Sequence, residues 1–218
     1  PLLDRTFTVV DEYLPSAVAA VRLLRDTVDR VFVVGHSLGG SMAPQVALAE
    51  PTVAGLVLLA GGTQPLHWAA VRQLRYLASL GPGYGSQATI DAATKQAEAV
   101  DSPDLSPDTP DAELPLGVPA AYWLSLRGYD PAATAATVDR PILVVQGGRD
   151  YQVTVDDDLP AWRNHLAGRD DVTIRVYEAD NHLLFPGNGP STPAEYEPAQ
   201  HVDPNIVTDV AEWLLAQR

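Results

Sequence analysis

Ser37 lies in the run G-H-S-L-G-G from Gly35 to Gly40, between a β-branched apolar stretch and an alanine-rich one. A serine at a sharp turn between a strand and a helix projects its hydroxyl, and glycines on either side let the two elements pack closely. The following helix aims its first backbone amides at the same turn. We therefore predict Ser37 as a nucleophile and the Leu38 N–H as an oxyanion donor; the alternative is a structural glycine turn.

A serine nucleophile needs a base and an acid that orients the base. Asp150 follows the third predicted strand, and His182 follows the fourth. The order serine, acid, histidine is the one expected with this type of turn. Because the carboxyl ends of parallel strands share one edge of a sheet, we expect Ser37, Asp150 and His182 to converge as nucleophile, orienting acid and general base.

Other titratable residues have simpler interpretations. The carboxylates of Asp156 to Asp158 suit the first turn of the next helix, where negative charge complements the helix dipole. Asp180 is expected to face away from His182, and His36 to pack beside the nucleophile. The remaining histidines are predicted to be solvated: His67, His165 and His201.

The elements around these residues alternate between strand and helix. Short apolar runs predict four buried strands, at Val31–Val34, Leu56–Ala60, Ile142–Val145 and Thr173–Tyr177. Helical patterns predict helices around Leu14–Val28 (with Pro15 in the first turn), Ser41–Glu50, Leu66–Leu80, Tyr122–Leu126 and Leu159–Leu166, and a last helix opening at Asp203-Pro204. This alternation predicts an α/β fold with a parallel sheet and right-handed crossovers.

One long stretch interrupts the alternation. Residues 65–137 contain no convincing buried strand, and Asp101–Pro119 is rich in proline and aspartate, which predicts a loop. We predict a hydrolytic core in residues 1–64 and 138–218 and a helical lid or cap in residues 65–137. Aromatic residues of this cap are candidates for substrate binding, or they only pack the cap: Trp68, Tyr122 and Trp123, with Tyr76 and Tyr84 also present.

The composition excludes several classes of function. The 218 residues are 46% hydrophobic and 19% charged, which is typical of a globular protein. A formal net charge of −14 disfavours nucleic acid and anionic membrane surfaces as partners. There are no cysteines, and the five histidines lack close metal-ligand spacing. We therefore predict no metal site and no cofactor.

With G-H-S-L-G-G, Q-G-G-R-D over Gln146 to Asp150 and N-H at Asn181-His182, the chain resembles the α/β-hydrolase superfamily. More narrowly it is similar to bacterial serine esterases of the dienelactone-hydrolase and prolyl-oligopeptidase-like branch, which share Ala43-Pro44, Ala60-Gly61 and a G-R-D-Y acid loop. The resemblance implies hydrolysis of a small carboxylic ester through an acyl-enzyme. Two alternatives stay open: a prolyl-oligopeptidase-like peptidase and a non-catalytic binding protein of the same fold.

The resemblance also implies strands near the N-terminus that the sequence ahead of Ser37 does not contain. Similar proteins have about four strands before the helix that precedes the nucleophile, and a loop among them supplies the second oxyanion donor. We expect the Val31–Val34 strand to have an unpaired apolar edge, completed by missing N-terminal residues, by a second polypeptide or by a swapped partner. We favour missing residues and expect poor activity without them.

Overall fold

The computed structural model describes residues 4–217, in which four parallel strands form one sheet. The order in the sheet is the order in the chain, and each neighbouring pair is parallel: β1 (Val31–His36), β2 (Val53–Leu59), β3 (Ile142–Gly147) and β4 (Val172–Tyr177). All six residues of β3 are buried, as expected for an apolar strand inside a parallel sheet. The predicted α/β fold class is confirmed.

Eight α-helices accompany the strands in the described part of the chain: α1 (Val9–Arg25), α2 (Leu38–Ala49), α3 (Leu66–Ser79), α4 (Gln87–Asp101), α5 (Ala120–Leu126), α6 (Pro131–Ala136), α7 (Leu159–His165) and α8 (Pro204–Ala216). Short 3-10 turns occur at Asp111–Glu113, Pro115–Gly117 and Pro193–Tyr196. The sequence pattern missed α4 and α6. Helix α4 buries only Ile90, Ala97 and Val100, too sparse a stripe to stand out, and Ser86 caps its start by accepting from the Thr89 N–H.

Helix α1 begins earlier than its apolar spacing indicates. Thr8 and Asp11 bond reciprocally, because the Thr8 N–H donates to the Asp11 carboxylate (2.9 Å) and the Asp11 N–H donates to the Thr8 hydroxyl (3.2 Å). This exchange caps the helix at its N-terminus. The predicted place of Pro15 in the first turn is therefore wrong, since Pro15 lies inside the helix.

Side chains alternate between the two faces of the sheet and form two apolar clusters. Leu56, Leu58 and Val144 pack on one face against helices α2, α6 and α7. Val57 and Val145, which are their neighbours along the strands, pack on the other face with Ile206 and Trp213 of α8 and Leu184. This period-two alternation buries both faces of the two central strands, which holds the carboxyl ends of the strands in fixed positions.

The chain divides into two compact units, residues 4–15 with 64–129 and residues 16–63 with 130–217. The bounds differ in two places from the predicted division. Residues 4–15 join the inserted segment, where the Tyr122 hydroxyl donates to the Glu12 carboxylate (2.5 Å) and the Val9 N–H donates to Ser125 (3.1 Å). Helix α6 joins the sheet unit because Ala132 and Ala135 are buried in its core.

The smaller unit has an apolar core of its own. Val100, Leu105, Leu114, Ala120 and Trp123 form this cluster. The role of this unit as a lid stays a prediction. In residues 4–217, no helix is both long enough and apolar enough to cross a membrane.

The smaller unit also holds a histidine that was expected to be solvated. His67 is 8% exposed, and its Nε2–H donates to the Asp101 carboxylate (2.9 Å). Asp101 accepts a second hydrogen bond from the Trp68 indole (2.7 Å). The prediction of a solvated His67 is therefore wrong, because this shared carboxylate lets the imidazole be buried with its polar atom satisfied.

Within residues 4–217, no strand pairs with the outer edge of β1. Val34 near the end of this strand is 52% exposed. Unpaired backbone groups beside exposed apolar side chains are typical of a surface that pairs with another strand.

Candidate active site

Ser37 occupies a strained turn between β1 and α2. Its backbone has φ 55° and ψ −124°, a region that residues with a side chain rarely adopt. The Ser37 N–H donates to the Leu59 carbonyl of β2 (2.9 Å), which fixes the turn to the sheet. Leu38 is the first residue of α2, so its N–H has no acceptor within the helix, and its role as an oxyanion donor stays a prediction.

The glycines around Ser37 are required by close backbone contacts. A Cβ on Gly35 would lie 2.2 Å from the carbonyl oxygen of Gly39, and one on Gly40 would lie 3.0 Å from the Cα of Gly61. The first distance is far shorter than real Cβ contacts, and the second is at their lower limit. The spacing of glycines in the motif therefore follows from the packing of the start of α2 against the ends of β1 and β2.

The structure brings Ser37, His182 and Asp150 into one hydrogen-bonded chain. The distance between His182 Nε2 and Ser37 Oγ is 3.0 Å, and that between His182 Nδ1 and Asp150 Oδ2 is 2.8 Å. Ser37 follows β1, Asp150 follows β3 and His182 follows β4, so the carboxyl ends of three strands supply them. A carboxylate only accepts, so Nδ1 carries the proton and Nε2 accepts from the Ser37 hydroxyl, as a general base requires.

Asp150 is held as an acceptor on both oxygens. Its Oδ1 accepts the N–H groups of Gln152 (2.8 Å) and Val153 (3.0 Å). Its Oδ2 accepts the Gln146 side-chain amide (3.2 Å) in addition to His182. Asp150 and His182 are each only 4% exposed. Four donors and little water hold the carboxylate in one orientation.

His36 contacts the histidine loop as a packing residue. Its Nε2–H donates to the backbone carbonyl of His182 (2.7 Å), and the two imidazole rings lie 4.8 Å apart. Desolvation lowers the pKa of His36 more than this hydrogen bond raises it. His36 therefore supports the loop as a neutral donor, and Nε2 of His182 stays free to face Ser37.

The three predicted substrate-binding aromatic residues lie in the smaller unit. Trp123 is 1% exposed within the apolar core of that unit, and Tyr122 is 7% exposed and bonded to Glu12. Trp68 is partly exposed and donates to Asp101. Burial of Tyr122 and Trp123 favours the packing alternative, and the substrate-binding role stays a prediction for all three.

Sequence reasoning missed two polar residues that shape the site. Gln146 ends an otherwise apolar strand and is 2% exposed, and a buried amide at that place was the available signal. Asp158, expected among the charges of a first helical turn, is 1% exposed. It accepts the N–H groups of Thr63 (2.8 Å) and Thr154 (2.9 Å) and thereby joins the loops after β2 and β3. No local pattern reveals that contact.

We expect Gly35→Ala to lower the free energy of unfolding by about 3 kcal/mol, because the added methyl collides with backbone that cannot move alone. Urea unfolding followed by circular dichroism measures the change. Gly83→Ala is the matched control, since nothing lies within 4 Å of its added Cβ. Equal stability of the two variants would contradict the proposed packing.

Asp180, two residues before His182, is 0% exposed, and neither carboxylate oxygen has a hydrogen-bond partner among residues 4–217. Burial and the nearby charge of Asp203 raise the pKa of Asp180 to about 6, against an opposing effect of Arg149. The folded state thus holds this proton more tightly than the unfolded state, where the pKa is near 3.8. Stability contributed by the protonated carboxyl is present at pH 4 and is lost as the pH rises through about 6.

We therefore expect the free energy of unfolding to fall between pH 4 and pH 7 by about 2–3 kcal/mol more in the native protein than in Asp180→Asn. Urea unfolding at a series of pH values measures both curves. If the free energy of unfolding depends on pH in the same way in both proteins, ionisation of Asp180 does not destabilise the folded state.

Within the described residues, no three histidine, aspartate or glutamate side chains are grouped as metal ligands. The site brings together a serine hydroxyl, an imidazole and a carboxylate in one hydrogen-bonded chain, next to the backbone N–H that begins α2. This set supports acyl transfer to water.

Comparison with known proteins agrees with this arrangement. Residues 3–210 match the model of the alpha/beta hydrolase family. Esterase EstD of Thermotoga maritima is 38% identical over 212 residues, which are 96% of this chain and 49% of that protein, so the chain spans about half the length of this curated relative.

Two solved structures share the fold at low identity. The Pyrococcus furiosus esterase PF2001 aligns with a TM-score of 0.54 and 17% identity, covering 95% of this chain and 63% of that one. Est1E from Butyrivibrio proteoclasticus aligns with a TM-score of 0.55 and 17% identity, covering 92% and 67%. The family match covers nearly the whole chain, and with the 38% identity to EstD it establishes that this chain belongs to the alpha/beta hydrolase family.

Proposed function

We propose that the protein hydrolyses carboxylic esters through an acyl-enzyme on Ser37. The observation that carries the proposal is the continuous hydrogen-bonded chain from Asp150 through His182 to Ser37 at a strained turn. A binding protein would have no need to maintain this geometry, and backbone strain at the reacting residue is typical of an active site.

The order of proton transfers follows from the inferred tautomer of His182, in which Nδ1 carries the proton and Nε2 faces Ser37. His182 Nε2 removes the Ser37 proton as Oγ attacks the ester carbonyl, and the Leu38 N–H donates to the oxyanion that forms. Asp150 stabilises the imidazolium. The protonated His182 then gives its proton to the departing alcohol. Water attacks the acyl-enzyme with His182 again as base, and the carboxylic acid and free Ser37 result.

The relatives support an ester as the substrate class. The 38% identical relative is named an esterase, and the chain covers about half of it. Ester hydrolysis by the whole protein is therefore a proposal that rests on the triad geometry together with this similarity. A peptidase activity has no comparable support among the observations on the described residues.

We further propose that another strand completes the sheet at β1, from an N-terminal segment or from a second chain. The exposed Val34 and the unpaired outer edge of β1 support this proposal. The same addition would supply the second oxyanion donor beside Leu38. Hydrogen exchange of the β1 amides that face away from β2 tests it. Pairing would protect these amides as strongly as those of β2, whereas their fast exchange would contradict the proposal.

The function itself is tested by two measurements on the protein. Hydrolysis of p-nitrophenyl acetate and butyrate is followed, with a p-nitroanilide peptide as the competing substrate. A fluorophosphonate probe is then added, and peptide mass mapping locates the adduct. Ester turnover with one adduct on Ser37 is the expected result. Preferred cleavage of the anilide would favour a peptidase, and a folded protein without turnover or adduct would contradict the proposal.

A further inference from the structure

We propose that Glu195 is a positioning residue whose carboxylate fastens the loop carrying Asp150 to the loop carrying His182. The inference rests on the proposed function, since it assigns Glu195 a role in the geometry of that triad. Glu195 lies in the 3-10 turn Pro193–Tyr196, after all three triad residues in the chain and outside the motifs that contain them. No motif points to it.

Each oxygen of the Glu195 carboxylate reaches a different loop. Oε1 pairs with Nη2 of Arg149, the residue immediately before Asp150. Oε2 accepts the side-chain amide of Asn181, the residue immediately before His182, at 2.8 Å. The Ser191 hydroxyl donates to the same oxygen at 2.9 Å. One side chain thus bridges the immediate neighbours of the proposed acid and the proposed base.

The bridge is rigid because its partners are themselves held. The Asn181 Oδ1 accepts the N–H groups of Leu183 (3.0 Å) and Phe185 (3.1 Å), which leaves its NH₂ to face Glu195. The Arg149 guanidinium also donates to the carbonyls of Gly189 (2.8 Å) and Ala179 (3.2 Å). Asn181, which precedes His182, therefore bonds to the backbone of the residues that follow it, and Arg149 connects its own loop to the segment after β4.

The charge and the burial of the group suit this role. The side chain of Arg149 is 10% exposed and that of Glu195 is 24% exposed. Burial raises the pKa of Glu195, but hydrogen bonds from Asn181, Arg149 and Ser191 outweigh it and hold the pKa below its usual value. The carboxylate is thus charged at neutral pH, and it accepts from every donor around it, as a charge-assisted network requires.

The test reverses the polarity of the bond between Glu195 and Asn181. Glu195→Gln presents an NH₂ group to the Asn181 NH₂ group, and Asn181→Asp presents a carboxylate to a carboxylate. In the double variant E195Q/N181D the glutamine donates to the aspartate, so the bond and the total charge are restored. The second Asp oxygen can still accept from Leu183 and Phe185. Glu197→Gln is the matched control, because Glu197 is exposed and lies two residues further along.

We expect each single variant to lose about 10- to 100-fold in kcat for p-nitrophenyl butyrate with KM changed less than about threefold, because sub-ångström displacement of His182 or Asp150 impairs proton transfer. The double variant is expected to recover to within about threefold of the native kcat, and Glu197→Gln to match the native protein. A purely structural role would lower the stability of the single variants and leave the kcat of the folded protein unchanged. Native-like kcat in Glu195→Gln, or a folded double variant no better than the singles, would overturn the inference.

A second readout separates this inference from the proposed function. The proton on His182 Nδ1, which faces Asp150, gives a downfield proton resonance whether or not the protein turns over ester. We expect this resonance in the native protein and in the double variant, and its loss or broadening in both single variants. If the native protein hydrolyses no ester but the resonance is still lost in both single variants, the result would support the positioning role of Glu195 and contradict the proposed esterase function. Turnover with an unchanged resonance in Glu195→Gln would do the reverse.

Discussion

Replacement of Ser37 by alanine is expected to lower kcat/KM for p-nitrophenyl butyrate by about 10⁴- to 10⁶-fold, because the attacking oxygen is removed while the surrounding backbone is kept. The Ser37 Oγ lies 3.0 Å from His182 Nε2, and no other hydroxyl in the described part of the chain shares that hydrogen bond. Steady-state hydrolysis and labelling by a fluorophosphonate probe both measure the loss. Alanine keeps a Cβ at φ 55°, so the strain of this turn remains and the stability of the variant should be close to that of the native protein.

The matched control is Ser41→Ala, one helical turn further along α2. The Ser41 hydroxyl donates to the Gly62 carbonyl (2.7 Å), so its loss is expected to affect stability and to change kcat/KM less than about tenfold. Retention of ester hydrolysis and of probe labelling in Ser37→Ala would place the nucleophile elsewhere.

Asp150→Asn is expected to lower kcat by about 10⁴-fold. Asparagine must keep its oxygen toward the N–H groups of Gln152 and Val153, so its NH₂ group turns toward His182 Nδ1. Nδ1 then has to accept, and the proton moves to Nε2, which can no longer take the proton of Ser37. The same NH₂ group also meets the Gln146 amide as donor against donor.

The pH profile of kcat and the downfield His182 resonance measure this effect. Asp156→Asn is the control, because Asp156 is an exposed carboxylate on the segment that follows β3. Asp156→Asn should leave kcat unchanged within about twofold, since the charge of a solvent-exposed carboxylate is screened by water and salt. A folded Asp150→Asn protein with more than a tenth of native kcat would assign the orienting acid to another carboxylate.

The order and type of the elements could be predicted because they depend on local patterns. Short apolar runs, three of them followed by glycine, placed all four strands to within a few residues, and their ends placed Ser37, Asp150 and His182 at one edge. Helix α4 was missed because alanine and polar residues dominate it and only a sparse stripe is buried. The residues of α6 were assigned to the insertion because a six-residue helix is too short to show an apolar periodicity. The sequence therefore does not indicate which apolar core it packs against.

The division into units could not be predicted, because it depends on contacts between distant residues. Tyr122 bonds to Glu12, 110 positions earlier, and thereby groups the start of the chain with the inserted segment. Asp158 likewise meets Thr63, 95 positions away. Hydroxyls and carboxylates of this kind occur throughout the sequence, and only the folded backbone selects which of them meet.

The sequence by itself determined the turn at Ser37, since Gly35 and Gly39 contact each other within five residues and the strain at Ser37 is a local property. It also determined the positions of the acid and the base, because parallel strands expose all their carboxyl ends on one edge. Only the tertiary structure decided how those side chains are held. His36 bonds to the His182 carbonyl, and Glu195 bonds to the neighbours of Asp150 and His182, through contacts between segments that are distant in sequence. Hydrogen bonds across such segments leave no periodic trace in the chain.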